Sequence, residues 1–276
     1  MAATDTAEVT YSAQEGIGFV TLNRPDKLNS ITEQMKGMIV EAFERADRDA
    51  ATSVVVLRGA GRSFCAGHDI SGNDDEDGGA WRTDAIKWHA HLAGSVHSEM
   101  APFNISKPVI ASVQGHVLGG GCQMAMFCDL VIAAENAVFA EPEVRFSNTG
   151  PAFIMPWIAG FRRAREFIYF GDTIDAATAL EFGLVNRVVP TEDLAKATLA
   201  YATRLSLIAP EALTRTKLAL KRGLEAAGFR TAIGAGHDVI ATLYAAETDV
   251  GRLFDEIAKR DGLKAALTWR ANQFKP

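Results

Sequence analysis

The sequence is poor in several features that point to particular classes of protein. It has 3 cysteines, Cys65, Cys122 and Cys128, and an odd number without CxxC spacing argues against a disulfide framework or a zinc site. Its net charge of -6 lacks the basic excess that general nucleic-acid binding favours. No apolar run reaches the roughly 18 residues of a membrane span, and Met1 to Val9 has no signal-peptide pattern. We therefore expect a soluble, cytoplasmic protein that binds neither nucleic acid nor membranes.

The 276 residues, 48% hydrophobic and 22% charged, have ordinary globular composition with enough apolar material for a large core. Strand patterns fall at 16–22, 53–57, 108–113, 129–134, 137–140 and 183–190. Helical patterns lie between them, one of them at 80–104, and continue from Thr191 to the end. Ser30 and Glu33 form a possible capping box for the first helix. The alternation predicts an α/β protein built on one wound sheet and followed by helices.

The central motif is an apolar strand pattern that runs into three consecutive glycines, Gly119 to Gly121, with a helical pattern immediately after them. Glycine lets a backbone lie directly against a ligand, and the first turn of a helix has unpaired N–H groups. The motif is typical of a site for an anion, or for an oxygen that becomes anionic during a reaction. It is equally consistent with a tight strand-to-helix turn and nothing more.

Two other features resemble metal sites but favour simpler interpretations. The acidic, glycine-rich stretch at 71–79 lacks the carboxylate spacing of an EF-hand and is predicted to be a surface loop. His89 and His91 are two residues apart and do not share a helical face, so we interpret them as surface or interface residues. No metal site is expected.

Five stretches in a fixed order resemble the crotonase (enoyl-CoA hydratase/isomerase) superfamily, and the resemblance spans nearly the whole chain. These are Leu22 to Asn29, Phe64 to Ile70, Gly115 to Asp129, Phe139 to Glu143 and Gly183 to Pro190. Each stretch alone is a weak signal, whereas five in this order are specific.

The resemblance implies a crotonase-like ββα-spiral core over residues 1–190 and a helical C-terminal trimerisation region over residues 191–276. It implies an acyl-CoA thioester as substrate, with coenzyme A as part of that substrate and no separate cofactor, and a homotrimer or dimer of trimers. It places an oxyanion hole on the main-chain N–H groups of His68 and Gly120, where only the backbone of His68 is needed. The implied substrate-binding residues are Ala66, His68, Asp69, Ile70, Gly120 and Lys27. Asp69 is expected to stabilise its loop, and Lys27 is placed to meet CoA phosphates.

The acid/base positions decide the reaction. Hydratases of this superfamily hold a water between two glutamates, and one of these positions matches Glu143. The other is occupied by Gln123, which can hold a water but cannot take up a proton as a carboxylate does. Glu143 and Gln123 are therefore the candidate catalytic pair, with Glu143 as the acid/base.

Several functions stay open at this point. An enoyl-CoA hydratase is the leading interpretation, and a Δ3-Δ2-enoyl-CoA isomerase needs only one carboxylate. A non-catalytic acyl-CoA-binding trimer, decayed at Gln123, is a further alternative. The segment 144–151 departs from the superfamily's usual glycine-rich helix start, so the shape of the acyl pocket is not predicted.

Overall fold

The computed structural model describes residues 7–70, 80–150, 154–246 and 248–275. The surface loop predicted at 71–79 lies outside these residues, so that interpretation stays a prediction.

The described chain contains nine strands. In chain order they are β1 (Val9–Gln14), β2 (Ile17–Leu22), β3 (Val54–Gly59), β4 (Val109–Val113), β5 (His116–Leu118), β6 (Leu130–Ala134), β7 (Val138–Ala140), β8 (Ile174–Asp175) and β9 (Arg187–Val189). The main sheet has the order β1-β2-β3-β4-β6-β9 and is parallel apart from the β1–β2 pair. A second sheet has the order β5-β7-β8, and the glycine motif directly follows its first strand, β5.

Eleven α-helices accompany the strands in the described residues. They are α1 (Glu33–Arg48), α2 (Ala85–Glu99), α3 (Ala101–Asn104), α4 (Gly120–Met126), α5 (Met155–Phe170), α6 (Ala176–Glu181), α7 (Leu194–Ser206), α8 (Pro210–Ala226), α9 (Phe229–Ala245), α10 (Asp249–Asp261) and α11 (Leu263–Asn272). Short 3-10 turns lie at Pro25–Lys27, Ala80–Thr83, Pro142–Phe146 and Thr191–Asp193.

The main sheet is buried on both faces, which explains the continuous apolar run in β3. Side chains alternate along a strand, so Val55 and Leu57 pack into the larger core while Val54 and Val56 pack into a smaller one. Helix α1 covers the first face, and α7 covers the second. Burial on both faces fixes the register of the strands, and the register fixes the loops at their carboxyl ends.

The C-terminal residues are helical, as expected, and α8 is attached to the rest of the chain by a buried lysine. Lys217 Nζ donates to the carbonyls of Pro102 and Lys107 over 2.8 and 2.9 Å and lies 2.8 Å from Asp129 Oδ2. The division of the chain at residue 190 stays a prediction, since α7 is part of the packing on the main sheet.

The α/β class is confirmed, and three local predictions are corrected. Helix α1 is capped by Thr32, whose Oγ1 accepts from the Met35 N–H over 3.2 Å, so the proposed capping box at Ser30 is wrong. The helix predicted at 80–104 is divided into a 3-10 turn, α2 and α3. The sequence patterns also missed β1, β5 and β8. Within the described ranges, no helix is long and apolar enough to span a membrane.

Candidate active site

The glycine motif forms the turn from β5 into α4, and other side chains occupy the space beside it. Gly119 has φ +50°, and a Cβ there would lie 2.3 Å from Glu143 Oε1. A Cβ on Gly120 would lie 2.6 Å from His68 Nε2 and 2.8 Å from Glu99 Oε1. Only glycine allows a carboxylate and an imidazole to approach the main chain this closely. The motif therefore does more than permit a tight turn.

A buried asparagine, Asn29, fixes the loop that leads to His68. Asn29 is fully buried, and its amide donates to the carbonyls of Ala60, Ser63 and Phe64 over 2.9, 2.9 and 3.1 Å. The Ile31 N–H donates to the Gly67 carbonyl over 2.8 Å. These bonds hold the loop to residues 29–31, and the Leu118 N–H donates to the Cys65 carbonyl over 3.0 Å, which joins the loop to β5.

Asp69 stabilises the same loop, as predicted. Its Oδ2 accepts from Arg24 Nη1 over 2.9 Å and from Ser30 Oγ over 3.2 Å. Its N–H donates to the Ile31 carbonyl over 2.9 Å. Because this pairing turns every second peptide group toward Ile31, the His68 N–H points to the other side.

The main-chain N–H groups of His68 and Gly120 donate no hydrogen bond to any described residue. The Gly120 N–H is one of the free donors in the first turn of α4. A buried N–H without a partner is rare in native proteins. Gly120 is buried and His68 is half-buried, and both N–H groups are available to a carbonyl oxygen of a ligand.

Glu143 is the carboxylate nearest to this turn. It lies in the 3-10 turn at Pro142–Phe146, which follows β7, and its Oε2 is buried without a hydrogen-bond partner among the described residues. Burial and the nearby charge of Glu99 raise the pKa of Glu143 to about 7, against the opposing effects of its own N–H and of His68. A carboxyl group with this pKa can both take up and release a proton near neutral pH.

Gln123 faces a second carboxylate that the sequence analysis did not assign to the site. Gln123 Nε2 donates to Glu141 Oε2 over 3.0 Å, and both side chains are buried. Burial and the charge of Glu143 raise the pKa of Glu141 well above its usual value. Beside this pair lies a cavity of about 10 Å³, about the smallest that can hold one water.

Glu99 is a third buried carboxylate, and it belongs to the last turn of α2. It is 0% exposed, and its Oε1 lies 2.8 Å from His68 Nε2. Burial raises the pKa of Glu99, while the hydrogen bond from His68 opposes that shift. The site therefore has carboxyl groups on two sides of the glycine turn.

The structure brings most of the predicted residues together. Gln123, Glu143, His68 and Gly120 surround the turn, and the half-buried Ala66 lies next to them in the chain. Ile70 is 62% exposed and Lys27 is also exposed, so both lie at the surface.

Sequence reasoning missed Glu99 and Glu141, although each left a signal. Glu99 lies on the same helical face as Leu92 and Ser95, both of which are buried. This spacing predicts that the Glu99 carboxylate is buried as well. Glu141 directly follows the buried strand β7.

His89 and His91 of α2 are partly exposed, with 48% and 31% of their side chains accessible. His89 pairs with Asp238 at the surface, with 48% and 72% of the two side chains exposed. Among the residues with described positions, no group of three or more His, Cys, Asp or Glu is placed to hold a metal ion.

Comparison with known proteins identifies the family. The family model described as enoyl-CoA hydratase/isomerase matches residues 12–248. A 2,3-dehydroadipyl-CoA hydratase of Escherichia coli K12 is 31% identical, with 98% of this chain and 99% of that protein covered. A probable enoyl-CoA hydratase of Mycobacterium bovis is 33% identical over 79% of this chain and 82% of its own length.

Solved structures agree with the sequence matches. The crystal structure of an enoyl-CoA hydratase/isomerase from Xanthobacter autotrophicus Py2 is 34% identical and superposes with a TM-score of 0.91, covering 98% of this chain and 99% of that one. The crotonase-like fold with its C-terminal helices is thereby confirmed. Membership of this family supports acyl-CoA processing. The chain belongs to the enoyl-CoA hydratase/isomerase family of the crotonase superfamily.

Proposed function

We propose that the protein is an acyl-CoA-processing enzyme of the enoyl-CoA hydratase type. The thioester oxygen of a 2-enoyl-CoA accepts hydrogen bonds from the N–H groups of His68 and Gly120. Negative charge that develops on this oxygen as an enolate forms is stabilised there, and one such donor is typically worth about 2.7–4 kcal/mol of barrier. Glu143 is the acid/base that moves protons beside the enolate.

One observation carries this proposal. The Glu143 carboxyl group lies against Gly119, the residue before Gly120, and the His68 side chain lies against Gly120; the N–H groups of Gly120 and His68 have no partner among the described residues. Oxyanion stabilisation and proton transfer both require placement of a few ångströms, and this arrangement supports both at once. The raised pKa of Glu143, about 7, suits proton transfer at neutral pH.

The remaining substrate contacts in this proposal are those that the family resemblance implies. We assign Ala66, Asp69 and Ile70 to the path of the CoA chain, with the exposed Lys27 as a partner for its phosphates. Coenzyme A enters as part of the substrate, and no other cofactor is proposed.

Gln123 favours a second candidate, Δ3-Δ2-enoyl-CoA isomerisation. This reaction moves one proton from C2 to C4 and needs only one carboxylate, whereas hydration must also activate a water. The same enolate and the same N–H pair serve both reactions.

A product assay of the purified protein tests the proposal. We expect a 3-hydroxyacyl-CoA from a 2-enoyl-CoA, whereas a 2-enoyl-CoA formed from a 3-enoyl-CoA would favour the isomerase. Glu143→Gln should abolish turnover and leave binding of the CoA ester nearly unchanged. Binding without turnover of either substrate by the wild-type protein would support a non-catalytic acyl-CoA-binding trimer instead.

We further propose that the protein assembles as a homotrimer or a dimer of trimers and acts in the cytoplasm. Large apolar side chains are exposed on and beside the C-terminal helices, among them Leu207 at 82%, Leu220 at 69% and Val239 at 71%. This exposure leaves apolar surface that neighbouring copies of the chain would cover in such an assembly. Light scattering should give three or six times the chain mass of 29.7 kDa.

A further inference from the structure

We propose that His68 and Glu99 form a second proton-transfer device, in which the His68 imidazole is a catalytic residue and Glu99 is its positioning residue. This inference rests on the proposed function and deepens it. It gives the His68 side chain a task that the sequence resemblance assigned only to its main chain, and it supplies the proton-transfer group that Gln123 cannot provide.

The first argument is the burial of Glu99. Its side chain is 0% exposed, and the imidazole Nε2 at 2.8 Å from Oε1 is its one side-chain hydrogen-bond partner in the described structure. A carboxylate in such surroundings is tolerated only when a proton or a cation compensates it. The pair therefore holds a proton, either as carboxylate and imidazolium or as carboxylic acid and imidazole.

The second argument is the orientation of the ring. Because Nε2 is held by Glu99, Nδ1 is the nitrogen left for a substrate, and no described residue bonds to it. The His68 side chain is 29% exposed, so a ligand can reach it, whereas the Glu99 side chain is fully buried. A carboxylate that fixes the tautomer and direction of an imidazole is the arrangement by which enzymes use histidine as an acid/base.

The third argument is the position of the pair. The imidazole lies against Gly120 through its Nε2–Cδ2 edge, and the Glu143 carboxyl group lies against Gly119, the preceding residue. The charges of His68 and Glu99 both act on Glu143, and Lys36 of α1 also acts on Glu99. Two proton-transfer groups thus approach the same turn through neighbouring residues.

This placement gives hydration a balanced path. The Glu143 carboxylate takes a proton from water as the water oxygen bonds to C3, and the C2–C3 π electrons move toward the thioester oxygen to form the enolate. The enolate then takes the Nδ1 proton of the His68 imidazolium at C2, and its C=O bond reforms. This step leaves the pair transiently one proton short, as carboxylate and neutral imidazole, until exchange with solvent returns one proton to His68 and removes one from Glu143.

Chemical rescue tests the imidazole directly. His68→Ala keeps the main-chain N–H, so we expect kcat for 2-enoyl-CoA hydration to fall by about 10²-fold or more, as for loss of a general acid, with little change in KM. Added imidazole should restore part of the lost rate in proportion to its concentration. His68→Gln should show a similar loss and serves as a second variant if the alanine variant does not fold.

The role of Glu99 is tested through its dependence on His68. Glu99→Gln should lower kcat and shift the limb of the pH profile that belongs to His68. Added to His68→Ala, the same substitution should cause no further loss of kcat. The matched control is His89→Ala, which breaks a His–carboxylate pair of similar length, 2.9 Å, at the surface. Its kcat should stay within about twofold of wild type.

Each outcome decides a different part of the account. Unchanged kcat in His68→Ala, or no rescue by imidazole, would overturn the dyad. Equal losses from Glu99→Gln in both backgrounds would overturn the positioning role. If Glu143→Gln is inactive while His68→Ala is fully active, the proposed function stands and the dyad alone fails. Absence of turnover by the wild-type protein would overturn the proposed function and the dyad with it.

Discussion

The Gln123 amide donates a hydrogen bond to the Glu141 carboxylate over 3.0 Å inside the candidate site. The chain thus has an amide at 123, where hydratases of the superfamily have a carboxylate, and a carboxyl group in direct contact with it. Substitutions at these two positions are therefore coupled and will not add.

We predict that the double variant, with Gln123→Glu and Glu141→Gln together, is tolerated better than either single substitution. Gln123→Glu alone sets two carboxyl groups at about hydrogen-bond distance, where they can only share a proton. It should lower the free energy of unfolding by roughly 1–3 kcal/mol. The double variant Gln123→Glu/Glu141→Gln keeps one amide and one carboxylate, so its melting temperature should be near that of wild type and its hydration rate above that of the single variant. A single variant as stable and active as the double would contradict this coupling.

The pH dependence of turnover should report Glu143. Burial and the charge of Glu99 raise the pKa of Glu143 to about 7, and a base must be ionised to take a proton. We therefore expect kcat/KM for hydration to rise with pH on the acid side of its profile, with the midpoint of this rise near pH 7. Initial rates between about pH 5 and 9 measure this. A profile that is already flat from pH 5.5 upward would exclude Glu143 as the base.

Stability should show the opposite trend with pH. The pKa of Glu143 is higher in the folded protein, about 7, than its ordinary value of 4.5, so the folded state holds an extra proton between these values and loses stability as pH rises through them. Glu143→Gln cannot ionise, so at pH 8 it should be more stable than wild type by roughly 1–3 kcal/mol, a difference that vanishes near pH 4. Thermal unfolding at both pH values checks this, and a destabilised Glu143→Gln at pH 8 would contradict it.

Adding one methyl group to the glycine turn, as in Gly119→Ala, should lower activity. In Gly119→Ala the new Cβ would lie 2.3 Å from Glu143 Oε1 on a backbone with φ +50°, so the carboxyl group must move. We expect kcat to fall by roughly 10²-fold, as for a displaced catalytic group. Gly37→Ala in α1 is the matched control, because nothing lies within 4 Å of its Cβ position. It should keep full activity and gain up to about 1 kcal/mol of stability.

Local sequence signals were sufficient for most of the fold and for part of the site. The buried runs of β3 and β4 and the glycine turn could be predicted because their patterns are short-range and strong. The strand β5 has only 3 residues, and its pairing with β7 depends on contacts far away in sequence, so no local pattern marks it.

The carboxyl groups of the site also divide into one that a local motif predicts and two that depend on contacts distant in sequence. Glu143 was found because a motif surrounds it. Glu99 was missed because its partner, His68, is 31 residues away in the chain, and only the tertiary structure brings the two together. The same holds for Glu141 and Gln123, which are 18 residues apart.

The most direct test of the central claim is whether the protein stabilises an enolate. A 3-ketoacyl-CoA can bind either as the ketone or as its enolate, and the enolate has its own ultraviolet absorption band. We predict that the wild-type protein near neutral pH binds this ligand with the appearance of the enolate band, because the His68 and Gly120 N–H groups favour the anionic oxygen. Binding of the ligand wholly as the ketone, with no enolate band at saturation, would contradict the account.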